Sequence, residues 1–211
     1  LDTDPGCDDA VAIMLAALNP LIDLKAITAA AGNHTLENTF QNALKVCSAL
    51  GIKNAPVAAG MSQPIVRKQV IAKHVHGETG LGNFKFGGPL LRPDSRHAVN
   101  LIIETLLNSN GEIIFTALGP LTNLAMAMRL EPKIIPKIKK IVMIGGSYQL
   151  GNITPAAEFN IYADPEAAQI VISCGRPLVM IGLSITEKVL ATKEIVKQIT
   201  AIGNKSAALW L

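Results

Sequence analysis

The chain lacks the features that would attach it to a nucleic acid. Only 17% of its 211 residues are charged, 4% are aromatic, and the net charge is +3. No Lys/Arg cluster is dense enough to follow a phosphate backbone. The most basic stretch, KIKK at 137–140, is typical of a solvated helix end that leads into a strand. We therefore expect no nucleic-acid partner.

Long apolar runs are also missing, although 49% of the residues are hydrophobic and the mean hydropathy is +0.35. The apolar residues fall into short runs such as EIIFTAL and KIVMIGG. A membrane-spanning helix needs roughly 18 or more consecutive apolar residues. Short runs bounded by Gly and Pro are instead typical of buried strands in an α/β protein. The pattern predicts no membrane partner.

Cysteine is scarce as well. Cys7, Cys47 and Cys174 are far apart, odd in number and free of any C-x-x-C pair. This usage predicts a reducing compartment, no zinc site, and thiols that act as small buried hydrophobic groups. No signal peptide is visible, which favours a cytoplasmic protein. The chain has no initiator Met and stops within an apolar helical pattern, KSAALWL, where we expect Trp210 to be buried. We expect one domain, 1–211, incomplete at both ends.

Helical and strand-like patterns alternate along the chain. Helical spacing occurs at 8–18, 35–51, 97–111, 121–130, 164–175 and 192–203, and apolar strand-like runs occur at 24–30, 55–60, 112–118, 139–146 and 177–183. Thr35 is a suitable N-cap for its helix, and Gly51 a suitable end. The alternation predicts an α/β fold with an open, doubly wound, mostly parallel sheet and helices on both faces, a Rossmann-like arrangement. It leaves the strand order open.

Leu1 is interpreted as the last residue of a further strand, and polar clusters follow this strand and three of the others. They read DTDPGCDD, AAGN, ALGPLTN and GGSYQLGN. In open parallel sheets, ligands bind beyond the carboxyl ends of the strands, which lie along one edge. The sequence therefore predicts that these clusters form a single shared site.

The first cluster holds four carboxylates: Asp2, Asp4, Asp8 and Asp9. Asp8 or Asp9 alone could simply cap the following helix, where the dipole favours negative charge. Four together repel one another and raise their pKa values unless a cation compensates. Oxygen ligands without Cys or nearby His suit Ca²⁺ or Mg²⁺ rather than zinc, and the spacing does not fit an EF-hand loop. A cation that polarises water beside a carboxylate base predicts a metal-assisted hydrolase.

The segment DTDPGCDDAVAIMLA closely resembles the DxDPGxDDxxA signature of the calcium-dependent inosine/uridine nucleoside hydrolases. The likeness continues through TAAAGNHTLENTFQNA, HVHGETGLG, ALGPLTNLAMAMRLEP, IVMIGGSYQLGNITPAAEFNIYADPEAA and VMIGLSIT, nearly the whole chain. The resemblance implies hydrolysis of the N-glycosidic bond of ribonucleosides to ribose and free base. It also implies Ca²⁺ as cofactor, a role in purine and pyrimidine salvage, and a homodimer or homotetramer.

The same resemblance implies roles for individual residues. Asp4 would bind Ca²⁺ and deprotonate the metal-held water. Asp9 and the backbone carbonyl of Leu118 would be further metal ligands, and Asp2 would orient its neighbours in the motif. The implied substrate contacts are Asp8 and Asn33 to ribose hydroxyls, His76 at the border of ribose and base, and Asn152, Glu158 and Asn160 at the 5′ and 3′ side of the sugar.

Structural alternatives exist for several of these residues. Asn33 and Asn152 could be turn residues, and the Leu118 side chain is expected in the core. Glu158 and Asn160 are paired on the expectation that alternate residues of an extended segment point the same way. Three histidines are expected on the surface or in helices, outside the site: His34, His74 and His97.

The chain departs from the family in one respect. Family members carry a C-terminal His-Asp pair, in which the Asp is a metal ligand and the His the supposed leaving-group acid. This chain has no His after His97, and its last Asp is Asp164. Two alternatives follow. One is a nucleoside- or ribose-binding protein with a defunct site. The other is a Mg²⁺-dependent DxD phosphohydrolase of the haloacid-dehalogenase type, which is disfavoured by Gly6 at a position where that motif carries Thr or Val.

Overall fold

The computed structural model describes residues 1–81, 88, 91–204 and 207. Within this part, six strands form one sheet: β1 Asp2–Thr3, β2 Ile27–Ala29, β3 Val57–Ala59, β4 Ile113–Ala117, β5 Ile138–Ile144 and β6 Leu178–Ile181. Every neighbouring pair is parallel, in the order β3-β2-β1-β4-β5-β6. The predicted parallel sheet is confirmed. The strand order places the topological switch between β1 and β4, where such sheets bind ligands.

The helices of the described residues are α1 Cys7–Leu18, α2 Leu36–Leu50, α3 Lys73–His76, α4 Ala98–Leu107, α5 Thr122–Leu130, α6 Phe159–Ala163, α7 Pro165–Ile172, α8 Leu183–Thr186 and α9 Lys193–Ala201, with a 3-10 helix at Pro132–Lys137. Every predicted helix and strand is present, most of them shortened at their ends. The sequence did not predict α3, α6, α8 or the 3-10 helix. Elements of four to six residues are too short to show a helical period.

Local sequence explains the best-defined helix. Thr35 precedes α2 in an extended conformation, and Gly51 ends the helix with φ 69°. A left-handed residue after the last turn suits glycine, which has no Cβ to clash. The prediction for both ends of this helix is confirmed.

The apolar core has two main layers. One joins α1 and α2 to the β1–β3 side of the sheet and includes Ile13, Ile27 and Val46. The other joins α4, α5 and α7 to β4 and β5 and includes Leu124 and Ile141. Right-handed crossovers put these two groups of helices on opposite faces of the sheet. Polar loops are thereby left to meet at its carboxyl edge.

The three thiols are not alike. Cys47 is buried, as predicted, Cys174 is partly buried and Cys7 is exposed. The prediction was wrong for Cys7, which starts α1 on its outer side.

None of the described helices is long and apolar enough to cross a membrane. The expectation for Trp210 concerns a residue outside the described part of the chain.

Candidate active site

The loops at the carboxyl edge of the sheet enclose a cleft of about 280 Å³. Of the nine predicted site residues, eight line it: Asp8, Asp9, Asn33, His76, Leu118, Asn152, Glu158 and Asn160. The ninth, Asp4, is fully buried behind the wall, in hydrogen bond with Asn33. The shared site predicted from the strand ends is therefore a cluster in space, built from loops that are far apart in sequence.

Asp4 is packed between two glycines, behind the residues that line the cleft. Its Oδ2 accepts a hydrogen bond from the backbone N–H of Asn33 at 2.7 Å. Its Oδ1 is buried and has no hydrogen-bond partner among the described residues. A methyl group on Gly32 or Gly119 would collide with the carboxylate. Since an unsatisfied buried oxygen costs about 1–3 kcal/mol, this geometry favours a ligand at Oδ1.

Asp9, in the first turn of α1, has more partners. Its Oδ1 accepts a hydrogen bond from Thr3 Oγ1 at 2.6 Å, and its Oδ2 accepts from the backbone N–H of Gly6 at 3.0 Å. The Asn33 side chain also donates to Oδ2, at 3.4 Å. Asp9 thus caps α1, as the structural alternative proposed. Asn33 bridges Asp9 and Asp4, so it is more than a turn residue.

Asp2 faces away from the cleft. Its Oδ1 accepts hydrogen bonds from Thr28 Oγ1 at 2.5 Å and from Asn123 Nδ2 at 2.8 Å. These bonds join β1 to β2 and to α5. Asp2 therefore contacts the framework that carries Asp4, which agrees with an orienting role, and this role remains a prediction.

Burial dominates the electrostatics of the carboxylates. It raises the pKa of Asp2 to about 6. Burial, together with the charge of Asp8, raises the pKa of Asp9 to about 6. The pKa of Asp4 lies well above its ordinary value, because of burial first and the neighbouring Asp9 second. A cation beside Asp4 and Asp9 would remove this penalty by compensating their charge.

The donor set fits a hard cation. Two carboxylates, Asp4 and Asp9, and the carbonyl of Leu118 supply oxygen only, which suits Ca²⁺ or Mg²⁺. In the described ranges, no three His, Cys, Asp or Glu side chains form a group that could hold a metal ion. A cation at this place would therefore depend on backbone, solvent or substrate oxygens in addition to the two carboxylates.

The carbonyl of Leu118 already has one partner. Asn160 Nδ2 donates to it at 2.8 Å and to the carbonyl of Ile144 at 3.3 Å. A carbonyl oxygen has two lone pairs, so one of them is left for a ligand. The Leu118 side chain is half-buried and lines the cleft, so the expectation that it belongs to the core was wrong.

The pairing of Glu158 and Asn160 was correct in outcome but wrong in reasoning. Asn160 is helical, because α6 begins at Phe159 and Glu158 is its N-cap. Glu158 Oε1 accepts from the Asn160 N–H at 2.9 Å. Its Oε2 accepts from the backbone N–H groups of Ile161 at 3.1 Å and Gly146 at 2.9 Å. A capping carboxylate holds its backbone this way, and both residues still line the cleft.

His76 and Asp8 form the wall opposite the loop after β5. His76 ends α3 and packs against Gly6, where a Cβ would lie 2.5 Å from His76 Cε1. Burial lowers the pKa of His76, and the charge of Asp8 opposes this. Asp8 is exposed in the first turn of α1. The neutral imidazole is thus favoured at this border of the cleft.

Two of the other three histidines differ from the prediction in their burial or location. His34 is buried, and its Nδ1 accepts a hydrogen bond from the backbone N–H of Thr35 at 2.8 Å. His74 is exposed, yet it also lines the cleft. His97 is exposed and caps α4, as expected. The prediction was wrong for the burial of His34 and for the place of His74.

An apolar wall of the cleft was not predicted at all. It consists of Ile153, Phe159, Ile181 and Leu183. Hydrophobic residues beside a strand end or a turn look like core residues in a sequence. The available signal was the position of Ile153 directly after the GN turn and of Ile181 and Leu183 on either side of Gly182, at the end of a predicted strand. Asn152, in the same loop, makes a turn contact from its N–H to the carbonyl of Ala157 and lines the cleft as well.

Comparison with known proteins agrees with this geometry. The model of the inosine-uridine preferring nucleoside hydrolase family matches residues 1–211. The pyrimidine-specific ribonucleoside hydrolase RihB of Escherichia coli is 51% identical over 210 residues, which cover 100% of this chain and 67% of that protein. The chain thus spans about two thirds of the length of this relative.

Solved structures show the same likeness. A plant nucleoside hydrolase, PpNRh1, superposes with a TM-score of 0.93 at 37% identity, covering 99% of this chain and 67% of that one. The purine-preferring ribonucleoside hydrolase from Gardnerella vaginalis superposes with a TM-score of 0.94 at 31% identity, covering 99% and 68%. The agreement extends over nearly every residue of the chain.

Proposed function

The chain belongs to the inosine-uridine preferring nucleoside hydrolase family, and on that premise we propose that its cleft binds Ca²⁺ and a ribonucleoside for hydrolysis of the N-glycosidic bond. One observation carries the proposal. The buried Oδ1 of Asp4 has no hydrogen-bond partner among the described residues, and it lies behind a cleft that the other eight predicted residues line. Family membership removes the haloacid-dehalogenase alternative.

The residues that would hold the cation are Asp4, Asp9 and the carbonyl of Leu118. Calcium, when bound there, would compensate the buried charge and make water more acidic at neutral pH. Asp4 is then the group that takes a proton from the attacking water. With its charge compensated by the cation, Asp4 would be ionised and able to accept that proton at neutral pH. Asn33, which also bonds to Asp9, holds the Asp4 carboxylate in place for this step.

The sugar would lie between the two polar walls. Asp8 and Asn33 face ribose hydroxyls from one wall, and Asn152, Glu158 and Asn160 face the 5′ and 3′ side from the other. Cleavage of a glycosidic bond passes through an oxocarbenium-like sugar, whose positive charge carboxylate and amide oxygens stabilise. Glu158 Oε1 accepts one backbone hydrogen bond, so it retains a lone pair for a hydroxyl.

The base would lie beside His76 and the apolar wall. Relatives carry names of both kinds, pyrimidine-specific and purine-preferring, so the proposal covers ribonucleosides as a class. By its resemblance to the family, the protein would act in purine and pyrimidine salvage in the cytoplasm, as a homodimer or homotetramer.

Ribose release from uridine and inosine, with EDTA or with added CaCl₂, tests the proposal. We expect chelator-sensitive release that is absent in an Asp4→Asn variant, with E. coli RihB as the positive control. Nucleoside binding without release would identify a binding protein with a defunct site. Neither binding nor release by a folded, calcium-supplied protein would contradict the proposal.

A further inference from the structure

Asn42 is a buried polar residue in the middle of α2, only 1% exposed. Asparagine is a poor helix former, and a buried carboxamide needs hydrogen-bond partners. Asn42 Nδ2 donates to the carbonyl of Thr79 at 2.8 Å and to that of Pro5 at 3.3 Å. Each partner is 37 residues away in sequence. One side chain therefore joins two separate loops.

Both loops lead into the candidate active site. Pro5 follows Asp4 in the turn between β1 and α1, the helix that carries Asp9. Thr79 comes three residues after His76, the residue at the border of ribose and base. Asn42 itself is not among the residues that line the cleft. It thus connects two site-bearing loops from behind.

The contact at the second loop is close. Gly80 has φ +87°, and a Cβ there would lie 2.9 Å from Asn42 Nδ2. A left-handed conformation and a close approach both favour glycine at this position. The loop is therefore shaped to meet the carboxamide.

The segment 69–80 is held at its other end by different bonds. Gln69 Nε2 donates to the carbonyl of His34 at 3.1 Å, and the Ala72 N–H donates to the carbonyl of Asn33 at 2.9 Å. His76 lies between these bonds and the Asn42 contact, with its ring against Gly6. Asn42 is therefore a tie at the end of the segment that follows His76.

We propose that Asn42 is a positioning residue, which sets the place of His76 relative to the carboxylate turn and thereby the affinity for the nucleoside. This inference rests on the proposed function. The Asn42 carboxamide donates to the carbonyls of Pro5 and Thr79, and neither of these belongs to the residues expected to hold the cation or the sugar. Loss of the carboxamide should therefore affect nucleoside binding far more than cation binding.

The test uses two variants and a matched control. Asn42→Ala removes the tie from α2, and Gly80→Ala disturbs it from the loop while leaving the helix intact. Thr39→Val is the control, because Thr39 is buried in the same helix and donates to the Ala30 carbonyl at 2.8 Å without contacting either loop. Calorimetry gives the affinities for uridine and Ca²⁺, and NMR gives the His76 ring resonances, assigned with a His76→Gln variant.

We expect both variants to weaken uridine binding about tenfold, the effect of losing roughly one hydrogen bond, with Ca²⁺ affinity nearly unchanged. The His76 resonances should shift in both variants and stay in place in Thr39→Val. In a protein that already carries His76→Ala, the Asn42→Ala substitution should cause little further loss of uridine affinity. If Asn42→Ala does not fold, the uridine affinity and the His76 resonances of Gly80→Ala test the inference on their own.

Other results would overturn the inference. His76 resonances that do not move, or uridine affinity that stays at the wild-type level, would show that the tie does not position the site. An equal loss in Thr39→Val would show general loosening of α2. A wild-type chain that binds no uridine would overturn the proposed function first, and this inference with it.

Discussion

Two buried carboxylates of the candidate site differ in their hydrogen bonds. Glu158, the N-cap of α6, accepts three backbone N–H groups from Gly146, Asn160 and Ile161. Asp4, directly after β1, accepts one at Oδ2 and, from the described residues, none at Oδ1. A carboxylate with complete partners holds the backbone in place. One with an unpaired buried oxygen is suited to bind a ligand.

The largest effect should come from Asp4→Asn. We expect no measurable Ca²⁺ binding by calorimetry and a loss in kcat/KM of about 10³-fold, as for removal of a general base. Stability without the cation should rise, because a buried charge is gone.

Asp164→Asn is the matched control for this variant. Asp164 is buried and accepts hydrogen bonds from Thr122 Oγ1 at 2.6 Å and from the Ile65 and Ala167 N–H groups at 3.0 Å. Its variant should lose stability and keep cation affinity. A destabilised Asp4→Asn that still binds Ca²⁺ would mean that Asp4 is structural too.

The next effect is a pH dependence of stability that calcium reduces. The pKa of Asp2 rises from 3.8 to about 6 on folding, and that of Asp9 also rises to about 6. A carboxyl group with a raised folded-state pKa causes no penalty below its unfolded pKa. The penalty grows as the pH rises from the unfolded pKa to the folded pKa, and it is complete above the folded value. For Asp2 it amounts to about 3 kcal/mol at neutral pH.

The melting temperature in EDTA should therefore fall between pH 4 and pH 7, the range set by the unfolded and folded pKa values. Excess CaCl₂ should reduce this slope without abolishing it, because the cation compensates Asp4 and Asp9 but not Asp2. Calorimetric scans at both pH values give the answer. An identical slope with and without calcium would place the cation somewhere else.

A smaller effect is expected on the other wall. Glu158→Gln replaces one acceptor oxygen with a donor that faces backbone N–H groups, at a cost of about 2 kcal/mol. Urea unfolding should show the loss, and nucleoside affinity should fall. Cation affinity should stay unchanged, and a change in it would show that the two walls are not independent.

The smallest effect concerns an exposed carboxylate. Arg67 and Glu166 form an ion pair at 3.1 Å on the surface, and Arg67 lowers the pKa of Glu166. Exposed pairs contribute little because solvent and salt screen them. Glu166→Gln should leave the melting temperature and cation affinity unchanged. A large drop in the melting temperature or in cation affinity would mean that burial does not explain why substitutions of different carboxylates differ in their effects.

Much of the fold was readable from local pattern. Apolar period and the Thr35 and Gly51 caps predicted the long elements, because these signals depend on residues within one or two turns. The position of the polar clusters after predicted parallel strands indicated that they meet at the carboxyl edge of the sheet. The resemblance to the family then chose individual residues, and all of them lie in or directly behind the cleft. Short elements such as α6 were not predicted from the sequence, and therefore the capping role of Glu158 was not predicted either.

Other features depend on partners far away in the chain. The Asn33 N–H reaches Asp4 across 29 positions, and Asn123 reaches Asp2 across 121. The strand order, the unpaired oxygen of Asp4 and the Asn42 tie all arise from such contacts. A local pattern specifies which groups a segment carries, through period, caps and turns. Whether each buried group finds a partner depends on the packing of segments that no local pattern relates, so it is settled only when the sheet assembles.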